Sequence, residues 1–99
     1  RLHLSDTRYK TAIKDLTSVI NVGQKFSKRL IEFGICSQKQ LLAMTNHEMF
    51  DLWQSMQKSL PEETRYNSNC LCCLNTLLGA KQNAQWNKAK IPADIMPRV

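Results

Sequence analysis

The residues best able to do chemistry lie in one stretch, Val19-Ile20-Asn21-Val22-Gly23-Gln24-Lys25-Phe26-Ser27-Lys28-Arg29-Leu30-Ile31-Glu32-Phe33-Gly34-Ile35. A short helix, a glycine-bearing hairpin and a second helix closing at Gly-Ile have the pattern of a helix-hairpin-helix. In that motif the backbone N–H groups of the hairpin, here Asn21, Val22, Gly23 and Gln24, and of the following helix N-terminus face a phosphate. Gly23 permits a positive φ or a close backbone approach, and Asn21 is the residue that best tolerates left-handed backbone after glycine. On this reading Gly23→Val costs on the order of 1–3 kcal/mol. Lys25, Lys28 and Arg29 recur at i, i+3, i+4, rotated away from the apolar Phe26/Leu30/Phe33 row, and Glu32 is spaced to pair with Lys28. Two readings stand side by side. One is a packing hairpin with a solvated charged face. The other is a contact between Asn21–Arg29 and DNA phosphates, which would position the protein without reading sequence. DNA-binding proteins of this type commonly use two hairpins, and no second glycine hairpin is visible.

The remaining candidates point away from catalysis and metal. Cys70, Cys72 and Cys73 are crowded within four positions, with Cys36 far away. Zinc needs about four converging ligands; Cys70 and Cys73 are one helical turn apart, no second pair faces them, and His3 and His47 are isolated. They read as buried or reduced thiols, with no metal and no cofactor. The eight carboxylates are scattered, and no phosphate-cradling GxxxxGK, nucleophile elbow or HExxH is present. The chain reads as non-enzymatic. Trp53 and Trp86 read as core or semi-buried anchors rather than as base-stacking platforms.

The elements that must carry these residues are helices. Ninety-nine residues suit one domain, and an apolar share of 42% supports a core. With only three glycines and three prolines, long stretches run uninterrupted. Net charge is +6, a moderate bias toward anionic partners. No stretch reaches the roughly 18 to 20 apolar residues of a spanning helix, and the thiols suit a cytosolic setting. The chain begins at Arg1 rather than methionine, which reads as a fragment or a processed product.

Ser5 is placed to cap a first helix, with Leu4 and Tyr9 as a hydrophobic staple, and that helix fades near Thr17 to Val19. The second is stopped by Gly34 as a left-handed C-cap. Ser37 caps a third, and Thr45 with Glu48, or else Asn46, opens a fourth bearing Met49, Phe50, Trp53 and Met56. Leu60 and Pro61 close it. Ser68 or Asn69 starts a fifth, carrying Leu71, Leu74, Leu77 and Leu78. The expected class is all-α, about five helices in a single domain with its core over residues 5–92 and a basic tail over 87–99.

Taken together these segments resemble the C-terminal domain of the TfoX/Sxy family, bacterial regulators of natural competence. The family's Leu-Pro-Asn-Ile/Leu-Gly opening and Gly-Ile helix end are similar to Val19-Ile20-Asn21-Val22-Gly23 and Gly34-Ile35. Leu41, Met44, Met49, Phe50 and Trp53 follow its apolar positions. Leu77-Leu78-Gly79-Ala80, leading to Gln85-Trp86, resembles its Leu-Glu-Gly-Ala and His-Trp, and Ile91-Pro92 its Leu-Pro. Ile20 replaces the family's proline and Gln85 its histidine. The resemblance implies a helical domain with a helix-hairpin-helix-like element. It also implies a role in transcriptional regulation through contacts with DNA or a regulatory protein. The alternative expectation is a purely protein-binding or self-associating domain, similar to sterile-alpha-motif bundles.

Overall fold

Ser5, Ser37 and Thr45 each accept a backbone N–H three residues on, and each opens a helix in the computed structural model, which describes residues 5–59 and 72–99. Helix α1 (Asp6–Leu16) starts with the Arg8 amide donating to Ser5 Oγ. Helix α3 (Gln38–Leu42) starts with the Gln40 amide donating to Ser37 Oγ. Helix α4 (Asn46–Lys58) carries a full capping box: Glu48 N donates to Thr45 Oγ1 at 3.1 Å, and Thr45 N donates to Glu48 Oε1 at 2.9 Å. These bonds satisfy amides that a helix end otherwise leaves unpaired. Between them lies α2 (Gln24–Glu32), and after them α5 (Cys72–Gln82) and a 3₁₀ turn at Met96–Arg98. The described residues are all-α, with five α-helices and no strand.

Helix α1 ends at Leu16, where the β-branched run begins. Helix α2 ends in a Schellman motif: Gly34 has φ 89°, Gly34 N donates to Ile31 O, and Ile35 N donates to Leu30 O. The expected start of α5 at Ser68 or Asn69, the Leu60-Pro61 stop, Leu4, Cys70 and Leu71 lie outside the described residues.

Helix α1 packs on α2, and α4 on α5, with α3 also against α5. Leu16, Leu30, Leu41, Met49, Leu74, Leu77, Leu78 and Ile95 are wholly buried. The core therefore extends past the expected limit at residue 92, because Ile95 turns inward from the tail. Arg98 anchors that tail on α4: its guanidinium lies 4.4 Å from the centre of the Phe50 ring and bonds the Asp51 carboxylate and His47 Nδ1. No helix among the described residues is long and apolar enough to cross a membrane.

Two expectations about orientation change. Ser27, Leu30 and Ile31 form the buried stripe of α2, while Phe26 and Phe33 are only partly buried. The core contact is thus centred one residue beyond the aromatic row. Ser27 can lie fully buried because its hydroxyl donates to Gln24 O at 2.7 Å. Trp53 is buried as expected, but Trp86 is 48% exposed. It lies beyond the end of α5, so helical spacing no longer governs where it points.

Candidate functional site

The hairpin is fixed by Asn21 rather than Gly23. Asn21 has φ 73°, the left-handed conformation that asparagine tolerates better than most residues. Its side chain reaches across the molecule: Nδ2 donates to Ala84 O at 2.8 Å, and Oδ1 accepts from Trp86 N at 3.0 Å. Val19 and Val22, on either side, are buried in the core. Gly23 has φ −95° and ψ −177°, ordinary extended backbone, and a Cβ built there meets nothing within 4 Å. The expectation of a positive φ or close approach at Gly23 is therefore wrong. The tight direction change is made two residues earlier.

The close approach occurs instead at Gly79, in α5. A Cβ there would sit 2.6 Å from Ala84 O and 2.6 Å from Asn21 Nδ2, so the absent side chain makes room for the Asn21 bond. Just beyond, Asn83 (φ 54°) reverses the chain as Gly34 does after α2: Ala84 N donates to Gly79 O at 2.8 Å, and Asn83 N to Ala80 O. Gln82 then brackets Lys90 from both sides, its Nε2 donating to Lys90 O and its Oε1 accepting from Lys90 N. The segment 84–90 is thereby held as a fixed loop, docked on the hairpin through Asn21.

At the start of α2 no side chain supplies a cap. The first intrahelical bond is Ser27 N to Gly23 O, so the amides of Gln24, Lys25 and Phe26 have no side-chain acceptor among the described residues. Gly23, Gln24 and Lys25 are exposed, as is Lys28 on the next turn. This is the arrangement in which a helix end carries partial positive charge toward solvent. Lys28 and Glu32 are both exposed and do not pair with each other.

Arg29 stands apart from the two lysines. Its guanidinium donates to Met56 O at 2.9 Å and Ser59 Oγ at 3.0 Å, and lies 5.7 Å from the centre of the Phe33 ring. It satisfies the carbonyl end of α4, where positive charge is favoured. Lys81 is similarly engaged, donating to Met44 O.

The docked loop brings a feature of the sequence into focus. The eight acidic residues are at positions 6, 15, 32, 48, 51, 62, 63 and 94, so the two longest runs without a carboxylate are Leu16–Ile31 and Thr64–Ala93. The first run carries Lys25, Lys28 and Arg29, and the second carries Arg65, Lys81, Lys88 and Lys90. Asn21 joins one run to the other. Both runs were legible in the sequence; their meeting was not. Lys10 and Lys14 lie on α1, interspersed with Asp6 and Asp15.

Elsewhere, a shallow groove of about 420 Å³ runs along α1 to Cys36 and Ser37. Its one carboxylate, Asp15, is already used, accepting from Gln38 N at 2.8 Å and from Gln38 Nε2. Cys36 and Cys73 are each half-buried against the core. Among the described residues no three His, Cys, Asp or Glu side chains converge as a metal-binding group. No protein family, no curated protein and no solved structure matches this chain.

Proposed function

We propose that this chain is a non-enzymatic helical module that binds nucleic-acid phosphates without sequence specificity, in the service of transcriptional regulation, as the resemblance to the TfoX/Sxy C-terminal domain implies. Gly23, Gln24, Lys25 and Lys28 form the contact; Asn21 and Val22, expected in it from the sequence, hold the turn instead, the Asn21 side chain on Ala84 and Trp86 and the Val22 amide on Val19 O. The supporting observation is the junction at Asn21: an uncapped, exposed helix N-terminus with two exposed lysines, docked to a loop bearing Lys88 and Lys90, within two acid-free runs. Amides at a helix end and mobile ammonium groups both suit a phosphate, and neither reads a base. Arg29 supports the site from beneath by holding α4 rather than by touching the ligand.

Few contacts make a weak binder. Three or four neutralised phosphates give an affinity near the roughly 10⁻⁴ to 10⁻⁶ M of nonspecific binding and a log–log salt slope of about −3 to −4. A fluorescence-anisotropy titration with duplex DNA at low salt tests this, comparing wild type with Lys25→Glu/Lys28→Glu. The double variant should keep its fold, since both lysines are exposed, and lose binding. Equal binding by the two proteins would move the site elsewhere.

A protein-binding or self-associating module is the rival, and it requires a contiguous apolar surface. Among the described residues the large exposed apolar ones are Leu42 on α3, Trp86 in the docked loop, and Met96 and Val99 at the chain end. They are spread over three segments. Failure of wild type to bind DNA, together with concentration-dependent dimerisation in sedimentation velocity, would favour the rival.

A further inference from the structure

We infer that Trp86 is a stacking platform for an unpaired base, so that the hairpin site takes single-stranded DNA in preference to smooth duplex. The inference rests on the phosphate-binding reading above and deepens it.

Trp86 is anomalous for a core-type residue. An indole usually contributes large apolar burial, yet here 48% of Trp86 is exposed, against 9% for Trp53. The exposure is not that of a loose tail. Its backbone amide is held by Asn21 Oδ1 at 3.0 Å, and the preceding Ala84 is fixed on both faces, its carbonyl by Asn21 Nδ2 and its amide by Gly79 O. Lys88 N donates back to Gln85 O at 2.8 Å, closing a turn around Trp86. The residue is thus presented by a rigid backbone at the edge of the hairpin. Its near neighbours in sequence include Asn83, Gln85, Asn87 and Lys88, with no carboxylate nearer in sequence than Glu63 or Asp94.

An exposed aromatic ring beside a cationic, amide-lined phosphate site meets the two needs of single-strand recognition. The ring supplies a face for a base, and the positive surface tracks the backbone. A duplex keeps its bases stacked on each other and cannot use the ring, whereas a single strand can. The phosphate site alone would not discriminate between the two. The ring does.

The test measures short oligothymidylate and a duplex of equal length against wild type, Trp86→Ala, Trp86→Phe and Lys25→Glu/Lys28→Glu. Wild type should bind the single strand more tightly and show quenching of tryptophan emission as it does so. Trp86→Ala should weaken single-strand binding by about fivefold to a hundredfold, leave duplex binding within about twofold and abolish the quenching. Trp86→Phe, which retains a ring, should keep most of the affinity. Unquenched emission from the wild-type complex, or equal weakening on both ligands in Trp86→Ala, overturns the stacking role. In either case duplex binding that remains sensitive to Lys25→Glu/Lys28→Glu leaves the phosphate-binding reading standing. Absence of binding to either nucleic acid by wild type overturns both.

Discussion

Helices α4 and α2 begin in opposite ways. At α4 the Thr45 hydroxyl and the Glu48 carboxylate close a reciprocal pair of hydrogen bonds over the first turn. At α2 the N-cap is Gly23, with no side chain to offer, and no side chain among the described residues bonds the first-turn amides. The two helices also differ in charge: α4 carries Glu48 in its first turn, and α2 carries Lys25 and no acid there. A helix end with an internal carboxylate has its anion built in. One that lacks it, and is surrounded by lysines, keeps its partial positive charge for an external anion. On the proposed reading, stability and binding compete for the same amides.

The largest loss of stability should come from the junction that holds the α2 hairpin in place. Asn21→Ala should destabilise the fold by about 3 kcal/mol: about 1 for each of two hydrogen bonds lost and about 1 for alanine in left-handed backbone. Asn21→Gly should recover only the last part. Urea denaturation of the three proteins checks the split. Gly79→Ala should cost about 1–2 kcal/mol by the same measurement, since overpacking against Ala84 O outweighs the roughly 1 kcal/mol that alanine returns in a helix.

At α4 the effects should be smaller. Thr45→Ala should cost about 1 kcal/mol, the usual worth of an N-cap. Glu48 adds a pH signature. The bond from the Thr45 backbone amide, and then the Thr45 hydroxyl, hold its carboxyl below the ordinary glutamate range. A depressed folded pKa means that the contribution is present above the unfolded value and lost as pH falls through the lowered one. Glu48→Gln should remove that part of the acid dependence, as read by thermal melts across roughly pH 3 to 6, a window that brackets the usual value near 4.3 and extends below it.

The smallest stability change should sharpen the contrast furthest. Gly23→Asp gives α2 the cap it lacks, in backbone that is already extended and with open space around it. Its stability should change by only a few tenths of a kcal/mol, in the favourable direction. Duplex DNA affinity should nonetheless fall by about tenfold or more, because the aspartate occupies the amides that the phosphate needs. Unchanged affinity in a well-folded Gly23→Asp protein would show that the open helix end is not the binding element.

Much of this architecture could be read along the chain. Ser5, Ser37, the Thr45/Glu48 pair and the Gly34 stop all act over three to five residues. So the number and class of the helices, and most of their described ends, follow from local chemistry. Asn21 and Gly23 were visible as a turn, but their roles were exchanged: the left-handed backbone falls on Asn21 because its side chain is needed 63 and 65 residues away. Likewise Arg29 matched the lysines in helical spacing, yet it serves α4, 27 residues on. Local spacing gives a residue's angle around its own helix; it cannot say which neighbour that angle meets. The sequence alone therefore determined the helices, their caps and the two acid-free runs. Only the tertiary packing decided that α5 leaves Gly79 bare beneath Asn21, that Ile95 returns to the core, and that Trp86 is held outward beside the hairpin, because each of these depends on contacts between segments distant in the chain.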